Sequence, residues 1–294
     1  MFKSGFVSII GRSNVGKSTF LNKILGERIS IVSNKPQTTR NNIKLIYTDE
    51  KMQCIFIDTP GIQKPKNKLG EYMLESATSA FKDVDVVTYI VDNSGIIGEN
   101  EEFIISKLKE LNIPIVLLIN KTDIISEERC QQIIKKFEEI GIFKKILPIS
   151  ALTGRNVDEY FNTIYDLLPE GPLYYAEDEI TDQSIRDICS EIIREKALLF
   201  LQEEVPHGIN IEVNKFKKRE NKELYDIEAS IVVEKKSHKG IVIGKGGSMI
   251  KKIGSTARQD IELFLESQVN LKLWVKIDTD WRNSASKLKH FGFN

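Results

Sequence analysis

Apolar positions in the first 168 residues follow two rhythms. Short strand-like runs occur at 6–10, 54–57, 86–91, 115–119 and 146–149. Three of them lack clean alternation, as strands buried on both faces do. Between the runs, stretches such as 99–111 and 126–140 carry apolar residues at helical spacing, with Phe103, Ile104, Leu108 and Leu111 in the first. Strand-helix alternation of this kind predicts an α/β domain with a mostly parallel sheet covered by helices.

The rhythm breaks at Leu168-Pro-Glu-Gly-Pro172, with acidic Glu177-Asp178-Glu179 close behind. Two prolines and a glycine predict a linker, placed at 169–180 between domains of 1–168 and 181–294. Beyond it, 183–204 reads as a helix turning Ile185, Ile188, Ile192 and Leu199 toward a core. Alternation at 209–213 and again at 227–233, around a charged turn at 217–223, predicts a hairpin. A Gly-rich basic segment, a helix over 248–266 and an alternating strand over 271–277 complete a smaller α+β domain. Its order reads helix-strand-strand-helix-strand.

Composition narrows the class without naming it. Of the 294 residues, 41% are hydrophobic and 29% charged, which excludes a disordered chain, a collagen and a coiled coil. No apolar run approaches the roughly 20 residues of a membrane-spanning helix. The N-terminus leads straight into a strand-like run without a cleavage site, so a cytoplasmic location is expected. Cys54, Cys130 and Cys189 are widely spaced and read as small buried hydrophobes. His207 and His238, 31 residues apart, are expected in turn or surface roles. Net charge is zero, yet 235–259 holds seven basic residues and no acid. Such clustering points to a polyanionic partner.

The chemistry begins at Gly11-Arg12-Ser13-Asn14-Val15-Gly16-Lys17-Ser18, followed by Thr19. This fits G-x-x-x-x-G-K-[ST] between a strand and a helix, where backbone N–H groups and the helix N-terminus cradle phosphates. Lys17 is placed for the β- and γ-phosphates, and Ser18 offers a hydroxyl to Mg²⁺. Asp58-Thr59-Pro60-Gly61 closes a strand where a carboxylate can hold Mg²⁺ and Gly61 can give its N–H to the γ-phosphate. Asn120-Lys121-Thr122-Asp123 closes another, where the Asp123 carboxylate can accept the N1–H and 2-amino group of guanine. Adenine offers no such donor pair, so GTP is selected over ATP. Ser150-Ala151-Leu152 closes the last strand, with the Ala151 N–H set for guanine O6.

These residues resemble the translation-factor-like GTPases. By that resemblance the 34–40 segment, Asn-Lys-Pro-Gln-Thr-Thr-Arg, is the first switch, with Thr39 the γ-phosphate-sensing Mg²⁺ ligand and Thr38 the fallback. Lys17, Thr39 and Gly61 are then the catalytic set. Ile62 stands where Ras-like proteins have a water-orienting Gln, and Gln63 is one place too late, so slow intrinsic hydrolysis is expected. Asn14 occupies the position of an asparagine that helps bind K⁺ in related GTPases.

In the C-terminal part, Ile243 precedes Gly244-Lys245-Gly246-Gly247, a G-x-x-G between an apolar run and an amphipathic helix. In this element order it resembles a bacterial-type (type II) KH domain, whose glycines clamp about four single-stranded nucleotides. Lys239, Lys245, Lys251, Lys252 and Arg258 are expected around the phosphates, with Lys235 and Lys236 nearby. Trp274 is expected in the core.

A GTPase joined to such a domain resembles the Era-type GTPases. That resemblance implies binding to 16S ribosomal RNA near its 3′ end, action in 30S subunit maturation, RNA binding controlled by GTP, and at most peripheral contact with the inner membrane. It implies no DNA partner, and a monomer is expected. A GTPase of transfer-RNA or other RNA modification is the alternative, and would need catalytic residues that no Cys or His cluster supplies.

Overall fold

In a computed structural model, which describes residues 1–26, 30, 35, 37–220 and 222–293, the chain separates into two compact units. With short exceptions, one runs from Met1 to Asp182 and the other from Gln183 onward. The first contains β1 (Lys3–Ile10), α1 (Lys17–Leu25), β2 (Ile43–Thr48), β3 (Met52–Asp58), α2 (Lys68–Ser79), β4 (Val86–Val91), α3 (Glu99–Leu108), β5 (Ile115–Ile119), α4 (Glu127–Glu138), β6 (Lys145–Pro148) and α5 (Val157–Leu167). The sheet order is β2-β3-β1-β4-β5-β6. Only β2 pairs antiparallel among these neighbours.

Every residue of β4 and β5 is buried, which is why their runs lack alternation. Successive residues serve opposite faces. Ile9, Ile90 and Leu118 join Phe20, Tyr160 and Ile164, whereas Ile10, Tyr89 and Leu117 join Ile104, Ile133 and Phe137. The register sets Ile9 beside Asp58, Val91 beside Ile119, and Ile119 beside Pro148. The loops that leave these C-terminal strand ends therefore share one edge, where ligands bind in sheets of this kind. Residues beyond the Pro-Glu-Gly-Pro break are tied to this same unit: Tyr174 and Tyr175 donate backbone N–H groups to the Gln53 carboxamide at 2.7 and 3.0 Å.

The second unit holds α6 (Ile185–Phe200), β7 (Asn210–Lys218), β8 (Leu224–Val233), α7 (Lys236–Ile243), α8 (Ser248–Leu265), β9 (Gln268–Ile277) and α9 (Ala285–His290). Its sheet is β7-β8-β9, antiparallel then parallel. The parallel β8–β9 pair requires a long crossover, and α7 with α8 supplies it.

Several expectations need correction. Residues 241–243, expected only as an apolar run, are the last turn of α7, so a second helix stands before α8. On α6, Ile188 and Ile192 are buried, but Ile185 and Leu199, in the first and last turns, are exposed; Cys189, Ile193 and Ala197 complete the buried face instead. Trp274 is 46% exposed on an alternating strand, whereas Trp281 is fully buried and donates its indole N–H to the Gly208 carbonyl at 3.0 Å. All three cysteines are buried and free, as expected. No described helix is long and apolar enough to cross a membrane.

Candidate functional site

The phosphate loop and the loop beside it are shaped by glycines that no other residue can replace without displacing a neighbour. At Gly16, φ is 102°, and an added Cβ would lie 2.3 Å from the Asn120 Nδ2. That vacancy lets Asn120 reach across and donate to the Val15 carbonyl at 2.8 Å. At Gly61 an added Cβ would lie 2.6 Å from the Ser13 hydroxyl and 2.8 Å from its backbone. Ile62 N–H donates to the Gly11 carbonyl at 3.1 Å, so the Asp58–Gly61 loop and the phosphate loop are in direct register. Thr59 fixes the same loop through its hydroxyl on the Ile9 carbonyl at 2.8 Å.

Lys17 is 6% exposed. Its ammonium donates to the carbonyls of Gly11 (3.2 Å) and Arg12 (3.0 Å). Burial lowers its pKa to about 8, partly countered by the Asp58 carboxylate. Asp58 is fully buried, and burial raises it to about 6 against the pull of Lys17, Ser18 and Thr39. Ser18 Oγ donates to Asp58 Oδ2 at 3.2 Å and lies 3.2 Å from Thr39 Oγ1. Two hydroxyls and a carboxylate thus converge, with Asp58 Oδ1 buried and unpartnered. An all-oxygen set with one orphaned carboxylate oxygen fits Mg²⁺, which takes few protein ligands. The Thr38 hydroxyl donates instead to the Lys35 carbonyl at 2.6 Å. Of the expected first switch, Asn34 and Pro36 lie outside the described residues.

Asn120 is a junction. Besides Val15, its Oδ1 accepts from the N–H groups of Lys121 (2.8 Å) and Ala151 (2.9 Å). The Ala151 N–H, expected on guanine O6, is therefore on Asn120 here. Lys121, at φ 63°, donates its ammonium to the Asn14 carbonyl at 2.9 Å. Thr122 anchors to the Ile149 carbonyl, while Asp123 and Leu152 stay exposed at the mouth. Ile62 is 1% exposed and apolar, so it orients no water. No described group of three His, Cys, Asp or Glu side chains is placed to hold another metal.

The second unit presents a different surface. Gly244, with φ 73°, ends α7 and faces Met249, while Gly246 (59°) and Gly247 (80°) open onto free space. Lys245, Lys251, Lys252 and Arg258 are exposed around this loop, and Lys239 and Ile243 are half-buried. A groove of about 310 Å³ runs beside it, lined by Ile250, Lys251, Gly254, Ser255, Arg258, Leu271 and Leu273. At Gly254 an added Cβ would lie 3.3 Å from Leu273, so glycine there keeps the helix close to the strand. Sequence reasoning missed Gly254 and the two leucines as groove residues. A glycine within an otherwise regular helix was the available signal.

A strand-end phosphate loop with a guanine loop, in one chain with a G-x-x-G helix pair, defines a P-loop GTPase carrying a KH domain. The family model for a 50S ribosome-binding GTPase matches residues 6–121, and the KH model matches residues 204–282. The chain is 52% identical over its whole length to the GTPase Era of Clostridioides difficile strain 630, covering 99% of that protein. It is 53% identical to GTPase Era of Clostridium botulinum strain Kyoto, again over 100% and 99% of the two chains. Among solved structures it resembles Era in complex with MgGDPNP and nucleotides 1506–1542 of 16S ribosomal RNA, at TM-score 0.97 and 39% identity over 100% and 99% of the chains. It also resembles an Aquifex aeolicus Era variant bound to GDP and aluminium fluoride, at TM-score 0.96 and 39% identity over 99% of each. The chain belongs to the Era family of GTPases.

Proposed function

We propose that this chain hydrolyses GTP at the Lys17–Asp58–Asp123 site and binds 16S ribosomal RNA near its 3′ end through the 243–258 face, acting in maturation of the 30S subunit. The observation that carries the reading is the convergence of Ser18, Thr39 and Asp58 beside Lys17, in a chain that also presents the open Gly246-Gly247 loop and its groove. A full-length relative at 39% identity that holds MgGDPNP and a 16S fragment supports the same assignment.

In this reading Ser18, Thr39 and Asp58 hold Mg²⁺, which neutralises charge between β- and γ-phosphate oxygens when bound. Lys17 exchanges its carbonyl partners for those phosphates. Gly61 gives its N–H to the γ-phosphate, and Asp123 reads the guanine edge. Because Ile62 is buried and apolar, no side chain at that place steers the attacking water, and intrinsic turnover is slow. Asn14 would help hold a K⁺ ion, which would supply positive charge beside the phosphates. Loss of the γ-phosphate contact at Thr39 releases the first switch and so lowers RNA affinity. The domains are taken as 1–168 and 181–294 around a 169–180 linker. The protein works as a cytoplasmic monomer, at most peripherally at the inner membrane.

Crosslinking in cells, followed by sequencing of bound RNA, tests the assignment. Wild type should peak at the 16S 3′ end, and Gly246→Asp should lose the peak. A transfer-RNA peak would overturn the ribosomal assignment and leave the GTPase standing.

A further inference from the structure

The turn that follows β4 carries polar side chains outside the nucleotide motifs. The Arg12 guanidinium, on the phosphate loop, is held by Asp92 at 3.3 Å and by Glu101. Glu101 lies in the first turn of α3 and is 3% exposed. Burial raises its carboxyl above the usual range, and Arg12 opposes that rise. Beside this cluster the Tyr89 hydroxyl is buried without a partner. One residue past Asp92, Asn93 Nδ2 donates to the Lys121 carbonyl at 3.2 Å. Lys121 closes the circuit through its ammonium on the Asn14 carbonyl.

We propose that Arg12, Glu101 and the Asp92–Asn93 turn form a brace that fixes the span between the phosphate loop and the guanine loop. Their side chains position the two loops and so set how fast nucleotide leaves. The inference rests on the reading of 11–19 and 120–123 as the nucleotide loops. A ligand held at both ends gains full affinity only where its two sites are already at the right separation. Arg12 also carries one of the carbonyls on which Lys17 rests, so a shift of Arg12 moves the phosphate-binding cation. Arginine's planar fork can serve two carboxylates at once, which a lysine ammonium does poorly.

The test is stopped-flow release of a fluorescent GDP analogue from the full-length protein, with GTP turnover and melting temperature measured in parallel. R12A and D92A should accelerate release about tenfold, the effect of losing a charged hydrogen bond. In D92A the KM for GTP should rise while kcat stays within about threefold. R12K should not restore slow release, and the R12A/D92A double variant should fall short of the sum of the two. Because R12A leaves Glu101 buried and unpaired, it can fail to fold. R12A/E101Q and Asn93→Ala therefore run alongside, and Asn93→Ala should speed release severalfold with an unchanged melting temperature. Release within twofold of wild type in every folded variant, or full rescue by R12K, would overturn the brace. Failure of the wild type to bind guanine nucleotide would overturn the site reading beneath it.

Discussion

The glycines of the two ligand-facing loops answer to opposite constraints. A Cβ on Gly11 would lie 2.3 Å from the Ile90 carbonyl, and those on Gly16 and Gly61 would strike Asn120 and Ser13. Gly246 and Gly247 share a left-handed backbone, yet nothing lies within 4 Å of their added Cβ positions. The first loop needs glycine so that the protein can pack against itself. The second needs it for the backbone and leaves the space for something outside the chain. Charge divides in the same way. Lys17 and Asp58 are buried and strongly shifted, whereas Lys245, Lys251 and Arg258 stand in solvent. One loop is packed tightly around buried, shifted charges, and the other is open and surrounded by exposed basic side chains.

The sharpest break between them is Lys17→Ala. GTP turnover should fall on the order of 10²–10³-fold, as for loss of one transition-state donor, while RNA affinity without nucleotide stays within about twofold. A parallel loss of nucleotide-free RNA affinity would show that the two surfaces are one system. Asp123→Asn should weaken GTP about 10²-fold and improve xanthosine nucleotides, measured by competition. Next comes pH. Asp58, raised from 3.8 to about 6, binds its proton more readily folded than unfolded. As pH falls from about 6 to about 4 this group should therefore stabilise the nucleotide-free fold. Mg²⁺ affinity should fall over the same range, about tenfold per pH unit. Calorimetric Mg²⁺ titration with parallel unfolding reads both signs, and a Mg²⁺ affinity flat to pH 5 would refute the placement. The smallest effect is Gly246→Asp, which should reduce RNA affinity about tenfold by repelling phosphate and leave GTP turnover unchanged.

Much of the nucleotide half was legible in sequence because its chemistry sits in contiguous tetrapeptides at strand ends. Lys17, Ser18 and Asp58 declared themselves by motif, and the structure brings them together with Thr39. Asp92 and Glu101 did not, because their meaning comes from a fold that brings Arg12 to them from 80 and 89 positions away. β2 went unread since it pairs antiparallel with β3, outside the strand-helix alternation that marks the parallel strands. In the second unit, the three apolar residues between Gly240 and Gly244 read only as an apolar run, because the helix they end is short and is closed by Gly244. Trp274 misled because alternation marks the buried face of a strand only when its phase is known. Its register partner Ser230 hydrogen-bonds Asn214, which shows that this face is polar.

The segment past the Pro-Glu-Gly-Pro break has a consequence for anyone dividing this protein. Ile46 N–H donates to the Ile180 carbonyl at 3.0 Å, and Thr181 donates its hydroxyl to the Lys44 carbonyl at 2.7 Å. These contacts close the free side of β2, the outermost strand of the sheet. A fragment stopped at residue 168 would bare that backbone rim and leave the Gln53 carboxamide without its two tyrosine N–H donors. Such a rim is a template for another copy's strand. A fragment ending at 168 should therefore self-associate, and one ending at 182 should remain dispersed.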